Sequence, residues 1–367
     1  MKKKIKVGIA GQGRSGYHIH AAYFKQAADL FEITAVADEY AGLRKKAENE
    51  FGAKTYKNYK EMLEAGGFEL FINATPSPFH VEASVQAMEA GYHVLCEKPM
   101  ARTVKEFDAM AAVSERTGRI LAPFQNNRFQ PFFIEMQNII RSGILGDIIH
   151  IRSTWGSFSR RWDWQTFQCN LGGCLFNTGP HAVDQALQFF PPDAPLKVES
   201  CLECRNELGG DADDYCWLAL SAPKCPRVEI LISQYMAYPQ GDIYNISGTR
   251  GGLAGNSESL KWRYYSWADA PEQKIWSPWS VNQGYPSEKL PWKEDAWKID
   301  EDLTKVSSGY TLRSYQYGVK IIYEALHKAI CTGSTLAVTL PEVRRQIMVM
   351  EECHRQNPLP KKRTVCP

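Results

Sequence analysis

The chain has 367 residues, of which 44% are hydrophobic, and its 43 Lys and Arg against 41 Asp and Glu leave a net charge of +2. This composition is that of a globular protein long enough for two buried cores. The balanced charge, without a helix-length basic stripe, argues against a nucleic-acid partner and favours a small molecule. No stretch reaches the roughly 18 apolar residues of a membrane span, and the apolar run after Met1–Lys4 is too short for a signal peptide. We therefore expect no membrane partner and a cytoplasmic location.

Short apolar segments alternate with helical ones in the first third of the chain. This alternation predicts a parallel sheet with helices on both faces, because right-handed crossovers place them there. We therefore expect an α/β, doubly wound domain over residues 1–123. Its predicted buried strands are Ile5–Ala10, Ile33–Ala37, Leu70–Asn73, His93–Cys96 and a shorter candidate, Ile120–Ala122.

The pattern changes after residue 123 to longer polar and aromatic segments. Strand-like stretches at Ile148–Thr154, Tyr215–Leu220 and Val228–Gln234 predict a mostly antiparallel sheet with flanking helices. We expect a second domain of the α+β type over residues 124–367. A capping box, Thr339-Leu340-Pro341-Glu342, predicts its last helix.

One cysteine pair, Cys201-Leu202-Glu203-Cys204, has the spacing of a metal site. The other cysteines are scattered along the chain. A single CxxC without a second pair or nearby histidines is a weak zinc signal, so we favour reduced thiols here and expect no metal cofactor.

A glycine-rich loop, Gly11-Gln12-Gly13-Arg14-Ser15-Gly16, follows the first predicted strand and precedes a helix. GxGxxG alone arises by chance, but this context favours a dinucleotide site. Gly11 permits the tight turn, Gly13 lets the backbone approach a pyrophosphate, and Gly16 allows close packing of helix and strand. The phosphate would lie at the helix N-terminus.

Asp38 lies 22 residues beyond Gly16, at the end of the second predicted strand. A carboxylate there can accept hydrogen bonds from both ribose hydroxyls and repels a 2′-phosphate, which predicts NAD rather than NADP. The alternative role for Asp38 is to cap a helix. Arg14 and Arg44 keep NADP open as the less favoured cofactor.

Two more segments follow predicted strands at the carboxyl edge of the sheet, where ligands of such folds bind. Thr75, Pro76 and His80 come after the Leu70–Asn73 strand and are predicted to border the cofactor. Glu97-Lys98-Pro99 comes after the next strand. Its lysine could hydrogen-bond a substrate hydroxyl and stabilise charge on the oxygen, although a surface lysine before a turn proline is the alternative.

A glycine pair, Gly172–Gly173, precedes a helix on which His181 lies in the first turn. Asn177 or Thr178 can cap this helix, and Pro180 suits its start. A histidine beside a helix N-terminus resists protonation, which suits a general base near neutral pH. The alternative is a capped helix with an incidental histidine.

In this order the motifs resemble the glucose-fructose oxidoreductase, inositol dehydrogenase and rhizopine catabolism family, Gfo/Idh/MocA. They are the glycine loop, Thr75-Pro76 with His80, Glu97-Lys98-Pro99, Asn127-Arg128-Phe129, and Gly172–Gly173 through His181 and Asp184. The resemblance covers nearly the whole chain. It implies an N-terminal Rossmann domain and a C-terminal domain whose large open sheet forms the interface of a homo-oligomer, a dimer or a tetramer. It also implies reversible oxidation of a secondary hydroxyl on a sugar, glycoside or cyclitol.

The resemblance also assigns roles by position. It implies that Lys98 is the essential lysine, beside both cofactor and substrate, that His181 is the acid/base, and that Asp184 supports the helix of the histidine. Glu97 is implied to border the cofactor. The implied substrate-binding residues are Lys98, Arg128, Arg161, Trp162, Asn177 and His181.

Asn177 stands where many family members have aspartate. A neutral amide can position a sugar hydroxyl but cannot make the imidazole more basic, so the base is either His181 alone or a relay through Lys98. The sequence Asn177–His181 is similar to members that act on hexoses or glycosides, at the 3-hydroxyl. Two alternatives stay open: a glycosidase that recycles NAD through transient C3 oxidation, and a non-catalytic dinucleotide-sensing regulator.

Overall fold

The computed structural model describes residues 3–205, 210–238, 241–272, 288–308 and 311–361. A first sheet of six parallel strands has the order β3-β2-β1-β4-β5-β6. The strands are β1 (Ile5–Ala10), β2 (Phe31–Ala37), β3 (Lys54–Tyr56), β4 (Leu70–Asn73), β5 (His93–Cys96) and β6 (Leu121–Pro123). The prediction of a doubly wound N-terminal domain is confirmed.

Helices cover both faces of this sheet. Side chains alternate between the faces, so that Leu70 and Ile72 enter one core while Phe71 enters the other. The helices between these strands are α1 (Ala22–Gln26, preceded by a π-helical turn at Gly16–Ala21), α2 (Ala41–Phe51), α3 (Tyr59–Ala65), α4 (His80–Glu89) and α5 (Val104–Thr117).

A second sheet has eight strands in the order β14-β13-β12-β11-β7-β10-β9-β8. Neighbours pair antiparallel except β7 and β10, which pair in parallel, so the predicted mostly antiparallel sheet is confirmed. The strands are β7 (Ile148–Gly156), β8 (Lys197–Glu203), β9 (Tyr215–Ser221), β10 (Arg227–Ser233), β11 (Tyr244–Gly248), β12 (Gly251–Gly255), β13 (Ser259–Tyr264) and β14 (Lys293–Lys298). A short hairpin follows, formed by β15 (Val306–Ser308) and β16 (Thr311–Leu312).

Five helices complete the described chain: α6 (Pro131–Arg141), α7 (Cys174–Asn177), α8 (Gly179–Leu187), α9 (Arg313–Thr332) and α10 (Leu340–Gln356). One face of the second sheet packs on α6, α8 and α10. The other face carries charged side chains, among them Arg227, whose guanidinium bonds Glu229 at 3.1 Å. The predicted capping box is present at Thr339 and Glu342 and begins α10.

The last two helices pack on the first sheet, and α10 also packs on the second. Val319, Ile322 and Tyr323 of α9 pack in the core with β1, and Ile347 of α10 packs in the core on the other face of the first sheet. Met350 of α10 lies in the core of the second sheet. The division at residues 123 and 124 stays a prediction, and the segments after residue 312 contribute to both layers.

Two further findings concern spans and metals. Every helix in the described ranges is too short or too polar to cross a lipid bilayer. Cys201 and Cys204 are reduced thiols, and the described residues contain no group of three or more His, Cys, Asp and Glu side chains arranged for a metal ion.

A buried ion triad fixes α8 between its neighbours. Arg128 donates to both carboxylate oxygens of Asp184, at 2.9 and 2.5 Å, and to Glu342 of α10 at 2.5 Å. Arg128 is 7% exposed and Asp184 is 1% exposed. Burying charges is unfavourable unless each is paired, so removing one partner leaves an uncompensated charge.

We predict that Arg128→Met lowers the free energy of unfolding by about 3–5 kcal/mol, because two carboxylates lose their buried partner. Urea denaturation followed by circular dichroism measures this change. Arg344→Met is the matched control, since Arg344 makes a similar two-bond contact with Asp108 at the surface and exposed pairs contribute little. Equal effects of the two substitutions would contradict the role of the triad.

Candidate functional site

The glycine loop connects β1 to a helix that starts at Arg14. Gly11 has a φ of +93°, and a Cβ on it would lie 2.3 Å from the Ala74 carbonyl oxygen, while one on Gly16 would lie 1.8 Å from the Gly11 oxygen. Both glycines are therefore required by close backbone packing. Gly13 differs, since no described atom lies within 4 Å of a Cβ placed there. The open space at Gly13, beside the amides of a first helical turn, fits a pyrophosphate.

The Asp38 carboxylate is hydrogen-bonded to the glycine loop. Its Oδ2 accepts from the Gln12 amide at 2.8 Å, and its Oδ1 accepts from the Tyr40 amide at 2.8 Å. Arg44 Nη1 donates to the carbonyls of Asp38 and Glu39, at 2.7 and 2.8 Å. The Gln12 side chain is buried, so its exposed neighbours Gly13 and Arg14 form the surface of the loop.

The buried His80 side chain contacts the segment that follows β4. Its Nδ1 lies 2.7 Å from the Pro99 carbonyl oxygen, and its Nε2 lies 2.9 Å from that of Thr75. Thr75 Oγ1 donates to Asn73 Oδ1 at 2.7 Å, and Pro76 is exposed. His80 is only 2% exposed, and its two contacts connect the Thr75 loop to the Lys98 segment.

Lys98 extends from the end of β5 to the second domain. Its Nζ donates to the carbonyl oxygen of Asn177, the last residue of α7, at 2.7 Å across 79 residues of sequence. The peptide between Lys98 and Pro99 is cis. Burial lowers the pKa of Lys98, Glu97 opposes that shift, and Arg14 and Arg161 add to it.

His181 lies in the first turn of α8, within the electrostatic influence of Lys98. Burial, reinforced by the Lys98 charge, lowers its pKa to about 3. Its Nδ1 is buried and has no hydrogen-bond partner among the described residues. The imidazole is therefore neutral near pH 7, and the structure brings the predicted pair of Lys98 and His181 together beside Asn177.

Glu97 is buried behind the lysine. Its Oε1 lies 3.1 Å from His20 Nε2, and its Oε2 accepts from the Lys98 amide at 3.1 Å. Burial would raise the pKa of Glu97, but His20 and Lys98 outweigh burial and hold it at about 2. His20 in turn contacts Tyr323 of α9. The structure therefore places Glu97 beneath the surface of the site. The family resemblance predicts that Glu97 borders the cofactor.

The structure places three of the predicted substrate-binding residues in different surroundings. Three of the five N–H groups of the Arg128 guanidinium donate to Asp184 and Glu342, so this side chain joins α8 to α10 in the structure. Trp162 is 83% exposed. Arg161 donates twice to Asp163, at 2.9 Å each, and its charge still acts on the pKa of Lys98.

A cavity of about 280 Å³ lies between the two sheets. Arg14 lines it and also lowers the pKa of His181, whereas Lys98 and His181 themselves are not among the lining residues. The other lining groups are amides, hydroxyls and aromatic or aliphatic side chains: Ile19, Asn127, Gln130, Phe132, Trp155, Gln185, Ile243, Ser257, Thr311, Leu312, Ser314 and Tyr315. Sequence reasoning missed most of them because they come from separate segments and form no motif.

Two known family models match the chain. The model of an oxidoreductase family with an NAD-binding Rossmann fold matches residues 5–125, and that of the GFO/IDH/MocA C-terminal domain matches residues 133–254. The scyllo-inositol 2-dehydrogenase (NADP(+)) IolW of Bacillus subtilis is 25% identical, over 95% of this chain and 92% of its own length. The D-glucoside 3-dehydrogenase of Escherichia coli is 28% identical, over 50% of this chain and 53% of its own.

A solved structure of an oxidoreductase from Agrobacterium radiobacter, in complex with NAD+, L-tartaric acid and magnesium, aligns with a TM-score of 0.74. The alignment covers 98% of each chain at 16% identity. At this identity the likeness establishes a common fold.

The low pKa of His181 predicts a specific pH dependence. A base must be neutral to act, and the imidazole stays neutral above pH 3 or so. We expect its NMR signal to show no titration midpoint between about pH 5 and 8, where an ordinary histidine titrates. A titration of ¹³C-histidine-labelled protein measures this, with His181→Asn to assign the resonance. A midpoint near 6.5 would contradict the burial of the ring.

Proposed function

The chain belongs to the GFO/IDH/MocA oxidoreductase family, and from that premise we propose that it is an NAD-dependent dehydrogenase. Its substrate is a sugar, glycoside or cyclitol, of which it reversibly oxidises a secondary hydroxyl. The observation that carries the proposal is the bond from Lys98 Nζ to the Asn177 carbonyl, at the carboxyl edge of the Rossmann sheet, where the charge of the lysine also acts on the pKa of His181.

The cofactor site fits the residues present. Gly13 and the first-turn amides after it would hold the pyrophosphate. The Asp38 carboxylate would bind the adenosine ribose, and Thr75 and Pro76 would border the dinucleotide. When bound, NAD accepts a hydride from the carbon that carries the hydroxyl. Ser15 is half-buried in the first helical turn, and its backbone amide is one of those that would hold the pyrophosphate.

Lys98 and His181 have different chemical tasks in this proposal. The Lys98 ammonium has three donors, so it can keep its bond to the Asn177 carbonyl while donating to the substrate oxygen. Its charge stabilises the oxygen as negative charge develops. The neutral His181 accepts the hydroxyl proton at Nε2, because its Nδ1 is buried.

The cavity supports an uncharged polyhydroxylated substrate. Its amides and hydroxyls offer both donors and acceptors, Trp155 and Tyr315 offer ring faces, and Arg14 is its one charged lining residue in the described chain. The names of the two relatives, an inositol and a glucoside dehydrogenase, agree with this class. The glucoside relative supports the 3-hydroxyl as the position of attack.

We further propose that the protein is a cytoplasmic homo-oligomer. The face of the second sheet that α6, α8 and α10 leave uncovered carries an ion-pair ladder, in which Glu229 contacts Arg227 at 3.1 Å and His150 at 3.5 Å. Trp217 and Leu231 lie half-buried in neighbouring strands. A second copy of the chain would cover these groups.

Loss of the lysine amine tests the reaction. We predict that Lys98→Met lowers turnover by about two to three orders of magnitude, because the developing charge on oxygen loses its donor. Purified protein is mixed with NAD+ or NADP+ and a panel of hexoses, inositols and glycosides, and absorbance at 340 nm is followed with product analysis. Lys105→Met, at an exposed lysine of α5, is the control and should retain activity.

Equal turnover by Lys98→Met and the parent protein would refute the assignment. Release of free sugar from an aryl glycoside without net NADH would instead indicate the glycosidase that recycles its cofactor. The absence of both NADH formation and an altered sugar would favour the dinucleotide-sensing regulator.

The preference for NAD+ over NADP+ tests the proposed ribose-binding role of Asp38. We predict that Asp38→Asn lowers the ratio of kcat/KM for NAD+ to that for NADP+ by about tenfold or more, because a 2′-phosphate no longer meets a carboxylate. Glu39→Gln removes the same charge from the adjacent exposed position and should leave the ratio unchanged. An unaltered ratio in Asp38→Asn would exclude the ribose role.

A further inference from the structure

A line of buried polar groups runs from α9 to the active-site lysine. Tyr323 Oη lies 2.7 Å from His20 Nδ1, and His20 Nε2 lies 3.1 Å from Glu97 Oε1. The other Glu97 oxygen accepts from the Lys98 backbone amide. His20 and Tyr323 are fully buried and Glu97 is 5% exposed.

The hydrogen bonds give each polar group in this line a partner. An ionised Glu97 accepts from His20 Nε2, and the Tyr323 hydroxyl lies at the other ring nitrogen, Nδ1. Each carboxylate oxygen thus has its own donor. The arrangement stabilises a negative charge behind Lys98 and leaves no ring nitrogen of His20 unpaired.

Packing alone does not account for these residue types. The Tyr323 ring already lies in an aromatic cluster, 5.0 Å from the Tyr23 ring and 4.7 Å from the Phe24 ring. Apolar residues of similar size usually replace a buried ionic group with no loss of stability. An ionised carboxylate kept at this depth, next to Lys98, therefore points to a use in the site.

We propose that His20 and Tyr323 are positioning residues for Lys98, which fix Glu97 as an ionised carboxylate behind the lysine so that its amine stays protonated. Only the role of Lys98 in catalysis is taken from the proposed function. Tyr323 lies on α9, so this helix contributes to the active site without touching the substrate.

The charges around Lys98 determine what removal of Glu97 should do. Burial lowers the pKa of Lys98, Arg14 and Arg161 lower it too, and Glu97 opposes them. His181 faces the lysine as a neutral ring. Without the carboxylate the pKa of Lys98 falls further, so the amine loses its proton at a lower pH.

A labelling experiment tests this independently of turnover. The full-length protein is treated with an amine-reactive acylating reagent across a pH series, and mass spectrometry quantifies modification of Lys98. In Glu97→Gln we expect the midpoint of labelling to move down by about one pH unit or more. His20→Leu should move it in the same direction, and Tyr323→Phe should move it by less.

Two comparison variants separate positioning from packing. His20→Gln restores a donor near the position of Nε2 and should recover part of the shift seen in His20→Leu. Tyr23→Phe removes a hydroxyl from the same aromatic cluster that, among the described residues, does not bond His20, and this substitution should leave the midpoint unchanged. If Glu97→Gln does not fold, the comparison of Tyr323→Phe with Tyr23→Phe decides the question.

An unchanged Lys98 midpoint in the folded Glu97 or Tyr323 variants would overturn the proposal. The pH profile of kcat/KM provides the second readout, in which the alkaline limb should move down together with the labelling midpoint. If the parent protein oxidises no sugar in the panel while the labelling shift occurs, the proposed substrate class fails and the positioning role stands.

Discussion

The contact on which this site depends is the hydrogen bond from Lys98 Nζ to the Asn177 carbonyl. The lysine is attached to a strand of the parallel sheet, and the carbonyl ends a short helix that packs on the mixed sheet. Neither layer has both chemical groups that a hydroxyl oxidation needs. In the proposed reaction, the lysine amine and the imidazole act on the same atom because two sheets with different topologies meet at this point.

Each half of the pair is held in place by a different buried ionic group. On the lysine side, Glu97 bonds His20 and the Lys98 amide. On the histidine side, Arg128 joins α8 to α10 through Asp184 and Glu342. Buried charges are costly when unpaired, so each group tolerates few alternative arrangements. This rigidity holds reacting groups close to a productive geometry.

The electrostatic environment separates the two groups chemically. Burial and the nearby lysine hold His181 neutral, while Glu97 counteracts the effect of burial on Lys98. A site whose two groups experience opposite electrostatic influences has distinct candidates for base and for oxyanion stabiliser. The neutral Asn177 in place of a carboxylate is consistent with this separation, since a negative charge there would favour protonation of the imidazole.

Sequence reasoning identified what local chemistry specifies. The strand at Ile5–Ala10, the glycine loop after it and the capping box at Thr339 were predictable because a strand's apolar run, a positive φ at glycine and a cap depend on neighbouring residues. The strand Lys54–Tyr56 was not predicted, because it is short and lies at the edge of the sheet.

Contacts between residues distant in sequence were revealed by the tertiary structure alone. Arg128 was expected to bind substrate, yet its partners lie 56 and 214 residues away. Tyr323 meets His20 across 303 residues, a contact that no local pattern encodes. The sequence by itself determined which residues could perform redox chemistry at a sheet edge. Only the packing of α8, α9 and α10 between the sheets decided which of them face the site, because burial, and with it charge and pairing, depends on which elements meet.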